Sequence, residues 1–310
     1  MGFYQLQSST MELSIITQRH LSHEDLHRIR HFLYSRKVRA SLLRLSRHLS
    51  ALLALVLIGV AQSPAYAIDV RVVDIAQINW IGSGVPTPSL GDVQASLRDV
   101  ERNWKTYTTI QGDGKDRTID FQYGQTLQTP ITINSRFQCE SFSFTPYLNS
   151  IREEAYKRLD ISNYADRYLI ILTPAAGCVW MGRALMGTAS VKGGTLVLHN
   201  TADSFVITHE LGHTLGLGHS NLMRCSNGSS DGAWGSTCQA VEYGGSLDTM
   251  GNVNTTSPLS VYHQWRMGLL DPSEIYQSWL SEKITLNASD LAGGTRAVFI
   301  RDQNSTYWIE

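Results

Sequence analysis

Three histidines within one short stretch constrain this chain more than any other feature: His209-Glu210-Leu211-Gly212-His213-Thr214-Leu215-Gly216-Leu217-Gly218-His219. The first two are four apart, so on a helix their imidazoles lie on one face and can approach the same ion. Gly216 comes three residues after His213, where a helix can end on a left-handed residue without steric cost, and the turn it allows carries His219 back as a third donor. Three imidazoles with an open fourth position are the donor set of a catalytic zinc. Glu210 follows the first histidine and is better placed to reach a water at that position than the metal, which marks it as the general base. A single histidine is ordinarily a core or surface residue, and His199 and His263 are read that way. Three of the five histidines beyond residue 67 fall at ligand spacing, and chance is a poor rival to that pattern.

The motif implies a domain that folds around it, and the chain must be divided before its 310 residues are used in that argument. Residues 49–61 read LSALLALVLIGVA, preceded by Arg36, Lys37, Arg39, Arg44 and Arg47 and followed by Ala65-Tyr66-Ala67. This pattern predicts a signal peptide, and the run is shorter than the ~20 apolar residues of a membrane span. Residues 1–67 are accordingly expected to be a leader, and the mature protein to be secreted to an extracellular or periplasmic space without lasting membrane insertion. The leader carries eight of the 26 basic and three of the 27 acidic residues, so the remainder has a net charge of −6. That balance argues against nucleic acid as a partner. All four cysteines lie in the mature part, as an oxidising compartment allows. Cys225 and Cys238 bracket a polar Gly/Ser stretch and are paired on that ground, leaving Cys139 with Cys178, although other pairings stay open.

Spacing of apolar residues predicts helices over 89–107, through Leu90, Val93, Leu97, Val100 and Trp104, and over 148–159, through Ile151, Ala155 and Leu159. Strands are expected at 119–123, at the fully apolar YLIIL of 168–172, and at 195–200, with Asp203 as N-cap of the motif helix. The alternation of helix and strand gives an α/β class, a twisted sheet with an active-site helix over residues 68–271. Beyond residue 271 the runs KITL (283–286), AVFI (297–300) and TYWI (306–309) predict strands of a β-rich C-terminal segment, 272–310. TYWIE closes the sequence in mid-strand, so this segment reads as the stump of a truncated β module, with the preceding domain self-sufficient to about Asp271.

The zinc motif matches that of the metzincin clan of metalloproteases at every defined position. Asp248-Thr249-Met250-Gly251 follows the third histidine as the clan's Met-turn would, which implies that Met250 floors the site. Within the clan, CQAVEYGGSLDTMGN (238–252), with GCVWMGRA before the motif helix and HQWRMGLL at 263–270, resembles the gametolysin family, which degrades extracellular matrix glycoproteins of algal cell walls. Gly245 departs from the acidic residue expected after Glu-Tyr-Gly. Asn252 stands two after the Met, where astacin-like and serralysin-like relatives carry a metal-binding Tyr, so no fifth protein ligand is expected there. The likeness implies an edge strand above the cleft that pairs with a protein or glycoprotein substrate in extended conformation; GRALMGT at 182–188 is the candidate, with Gly182, Arg183, Ala184 and Leu185 as substrate-binding residues.

Two rival readings are a metzincin-fold binding or adhesion protein whose catalysis has lapsed, against which the retained Glu210 speaks, and a zinc amidase acting on wall peptides. Calcium is a secondary expectation at Asp203 and Asp231. Asn227, Asn254, Asn287 and Asn304 begin glycosylation sequons of low functional weight.

Overall fold

The computed structural model describes residues 4–5, 68–302 and 305–310, apart from 85, 87, 113, 116, 135, 138, 140–143, 175–177, 227–237, 253–256 and 279–281. The apolar run of 49–61, Asp231 and the sequons at Asn227, Asn254 and Asn304 lie outside the described residues. Among those described, no helix is long and apolar enough to cross a membrane.

One interior strand is not announced by sequence periodicity. β1 (Asp69–Asn79) lies within the main sheet with Arg71, Asp74 and Gln77 all buried. Each break in the apolar pattern has a local reason. Arg71 reaches the Tyr168 hydroxyl at 2.6 Å and Asp69 at 2.7 Å. Asp74 accepts two bonds from the Arg167 guanidinium at 2.6 Å, together with the Gln125 amide. Buried polar groups that are paired in this way are tolerated in a sheet centre.

Around β1 the sheet order is β2 (Ile119–Thr126), β1, β4 (Tyr168–Thr173), β6 (Gly194–His199) and β5 (Gly182–Ala184), with β3 (Ile131–Thr132) pairing near the far end of β1. All are parallel except β5, which runs antiparallel to β6 at the edge. Both faces are covered. Tyr168, Ile170 and Leu172 of β4 pack with Val93, Leu97, Val100 and Trp104 of α1 (Leu90–Thr108) and with Ile207 and Leu211 of α3 (Ser204–Thr214). Leu169 and Ile171 face the opposite way, onto Leu148, Ile151 and Ala155 of α2 (Phe144–Arg158). A strand buried on both sides has no polar positions to offer, which is why YLIIL is apolar throughout. α1 begins at Ser89, whose side chain and Asp92 cap each other reciprocally.

Beyond α3 the chain forms an antiparallel hairpin, β7 (Leu222–Cys225) and β8 (Cys238–Val241), closed by the Cys225–Cys238 disulfide; the second disulfide joins Cys139 to Cys178. α4 (Val261–Arg266) follows, and then a small sheet in which β9 (Ile275–Ser278) lies parallel to β10 (Ala297–Asp302), which pairs antiparallel with β11 (Ser305–Ile309); Tyr4–Gln5 adds to the other side of β11.

One expectation for the C-terminal segment needs correction. KITL forms no strand. Its alternation is real, with Ile284 and Leu286 half-buried, but among the described residues no neighbouring strand pairs with it, and the chain turns back through the left-handed Gly293 and Gly294. The parallel partner of β10 is instead IYQS of β9, too mixed a run to read in advance. The segment packs against the residues that precede it. Arg296 is fully buried, donating to the Leu269 carbonyl and to Glu274 and Gln264, while Trp308 shares a core with Val261 and Leu270.

Candidate metal centre

The motif helix is set by its ends. The Asp203 carboxylate caps α3 by accepting from the Phe205 amide at 2.8 Å. At the other end Gly216 is left-handed, with φ 83°, and two bonds close the turn, from the Gly216 amide to the His213 carbonyl and from the Leu217 amide to the Gly212 carbonyl. This is a Schellman closure, and it reverses the chain so that His219 returns toward the helix.

The structure brings His209, His213 and His219 together, with one ligand atom from each lying within 4.8 Å of the others. Their outer nitrogens are all engaged. The Nδ1 of His209 contacts the Thr249 carbonyl at 2.9 Å, that of His213 the Leu217 carbonyl at 2.8 Å, and that of His219 the Glu242 carboxylate at 2.7 Å. Each partner is an acceptor, so each Nδ1 carries the proton and each Nε2 presents a lone pair. The Nε2 atoms of His213 and His219 are 3.1 Å apart. Two lone pairs at that distance repel unless a cation lies between them, and tetrahedral zinc at a Zn–N distance of about 2.0–2.1 Å would set them about 3.3 Å apart. Burial holds the His209 and His213 imidazoles down to about 4, neutral at physiological pH as metal donation requires. The residues fit a zinc ion.

Glu210 is buried beside this cluster. Its Oε2 has no hydrogen-bond partner among the described residues, and burial, opposed by Arg183, pushes its carboxyl up to about 8. A cation held by the three histidines would favour the ionised form. Glu210 lies directly under the edge strand: a Cβ on Gly182 would come within 2.6 Å of the Glu210 Cγ and Oε1. Gly182→Ala should therefore displace the carboxylate and lower activity at least tenfold without removing metal, and equal turnover by the variant would show that Glu210 has room to spare.

Below the helix, a Cβ on Gly212 would lie 2.4 Å from the Met250 sulfur, so Met250 packs flush against the motif. Its turn is fixed by Asp248, which accepts from the Met250 and Ser260 amides and from His263 Nδ1 at 2.6 Å. Gly245 packs on Ser220, where a Cβ would meet the Ser220 Cβ at 2.8 Å.

Burial alone would raise Asp248, but His263, the Ser260 side chain and the Met250 amide outweigh it and hold its carboxyl below the ordinary value. A folded-state pKa that is depressed contributes stability above the unfolded value, about 3.9, and loses it as the pH falls through the folded one. Asp248→Asn should thus be less stable by about 3–5 kcal/mol at pH 7, with the gap to wild type closing below about pH 4. Urea unfolding from pH 7 to pH 3 checks this, and a gap independent of pH would mean that the charge of Asp248 carries none of the effect.

Among the candidate substrate residues, Gly182, Arg183 and Ala184 border the site on β5, with Gly182 and Ala184 registered opposite Leu198 and Leu196 of β6. Leu185 does not belong with them. Its amide bonds the Thr195 carbonyl and its side chain turns to the α2 face of the sheet. Met186 lines the cleft in its place. Sequence reading also passed over Trp180, Phe205 and Tyr243, which border the cleft beside His209 and Glu210. Tyr243 lay within the stretch already singled out, EYGG, and its ring centroid is 3.8 Å from that of His219.

Neither a scan of protein-family models nor a search of curated proteins found a match. Among solved structures, the chain is similar to metalloproteinase-II from Bacteroides fragilis, at 13% identity over 66% of this chain and with a TM-score of 0.38. It covers 54% of that chain, about half its length.

Proposed function

We propose that this protein is a secreted zinc-dependent endopeptidase that cleaves extended segments of extracellular or cell-wall proteins, in the manner its gametolysin-like stretches imply. The observation that carries this reading is the convergence of one ligand atom from each of three histidines beside buried Glu210, whose Oε2 has no hydrogen-bond partner among the described residues. When bound, zinc supplies a Lewis acid that polarises a carbonyl and lowers the pKa of a water to about 7. The chain's own part follows from where its groups lie. Glu210 takes the proton of the attacking water and returns it to the leaving amine. Among the described residues β5 stands at the end of the sheet order, beside β6, and an edge strand of this kind can take a substrate backbone as an added strand. Trp180, Phe205 and Val206 line one side of the cleft, which favours an apolar substrate side chain there, while Arg183 and Glu242 make the other side polar.

Metal analysis and casein hydrolysis test the proposal together. One zinc per chain is expected in the wild type, with activity lost to a chelator and restored by zinc, and loss of the metal from His219→Ala. Full zinc content in a folded His219→Ala protein would remove His219 from the ligand set, and chelator-resistant hydrolysis would overturn the proposal itself.

A further inference from the structure

His209 and His213 are held by the helix they stand on, but His219 follows Gly218, where an added Cβ would meet nothing within 4 Å. Something outside the helix must fix it. Two neighbouring residues do so, one at each surface of the ring. The Glu242 carboxylate accepts a hydrogen bond from Nδ1 at 2.7 Å, and the Tyr243 ring lies against the imidazole face, 3.8 Å between centroids and tilted by 36°. Of the three histidines, only His219 has a charged carboxylate as its outer partner; the other two use backbone carbonyls.

The turn that carries this pair is built against local preference. The Gly244 amide closes it onto the Val241 carbonyl at 3.0 Å, and its third position is Tyr243, left-handed at φ 58°. That position normally calls for Gly or Asn. The surroundings hold the strained residue from two sides: its amide donates to Asn221 Oδ1 at 3.2 Å, and its carbonyl accepts from the Asn252 amide at 2.8 Å. The turn also lies flush on β7, since a Cβ on Gly244 would come within 2.4 Å of the Leu222 Cβ. A tyrosine kept in a backbone conformation it disfavours, with its ring on a metal donor, points to a role at the site.

We propose that Glu242 and Tyr243 are positioning residues that hold His219 as the third zinc ligand, Glu242 by fixing the tautomer and raising the basicity of Nε2, Tyr243 by fixing the plane of the ring. This rests on the reading of the site as a zinc centre. Outer partners of ligating histidines are typically worth about 10–100-fold in metal affinity, and that is the size of effect expected here.

The test is zinc affinity of the full secreted chain, measured by competition with a chelator, alongside the melting temperature of the metal-free protein. Glu242→Ala is expected to weaken zinc binding about 10–100-fold while shifting the metal-free melting temperature by no more than about 2 °C, because Glu242 is exposed. Glu242→Gln should weaken it less, since its amide oxygen still accepts from Nδ1. Tyr243→Asn relieves the backbone and should weaken zinc without lowering the metal-free melting temperature. Zinc bound as tightly by Glu242→Ala as by the wild type would overturn the proposal, and so would losses of affinity matched by losses of metal-free stability in both Glu242 variants. A wild type that binds no zinc would sink the metal centre itself, an outcome distinct from either.

Discussion

Replacing Glu210 by Gln is expected to leave one zinc per chain and to lower peptide hydrolysis by about 10²–10⁴-fold, the range over which a positioned acid-base group accelerates proton transfer. That corresponds to about 3–5 kcal/mol of barrier. The amide has the size and shape of the carboxylate, so the close packing under Gly182 survives, and the three histidines keep their own outer partners in Thr249, Leu217 and Glu242. What the variant lacks is a group at Oε2 able to take a proton. The measurement is kcat on a peptide substrate, with zinc content determined on the same sample. More than about a tenth of wild-type turnover would remove Glu210 from the mechanism. Loss of zinc along with activity would mean that the carboxylate serves the metal more than the reaction.

The fate of Glu210 also shows what could be read in advance. Residue spacing alone places His209, Glu210, His213 and Gly216, because a helix and its left-handed end are local matters fixed within one or two turns. Met250 and the edge strand required a family resemblance, since their contacts with the motif cross long sequence distances. β1 and Tyr243 were missed for physical reasons of another kind. In β1, Arg71 and Asp74 break the apolar pattern, and the partners that make them tolerable, Tyr168 and Arg167, are about a hundred residues away. Tyr243 adopts a conformation that its residue type disfavours, so no propensity would have marked it as the third residue of a tight turn.

A chain ending at Asp271 is expected to lose both stability and zinc, against the reading of residues 272–310 as a dispensable stump. Trp308 packs on Val261, Leu270 and the Trp265 ring, and Glu310 accepts from the Val261 amide at the start of α4. Arg296 donates to the Leu269 carbonyl and the Gln264 side chain. The tail also reaches the main domain through Gln111, whose backbone bonds Asp290 and Ala292. Removing a buried Trp alone costs about 3–5 kcal/mol, against a total stability of about 5–15 for an ordinary domain. The loss would not stay local. α4 carries His263 and begins at Ser260, the two residues that hold Asp248, and Asp248 in turn fixes Met250 beneath the motif helix. Loosening α4 therefore loosens the turn whose Thr249 carbonyl orients His209. Thermal melts and zinc content of the shortened and full chains decide the matter. A shortened chain with the same melting temperature and full metal would show that the catalytic unit ends at Asp271 after all.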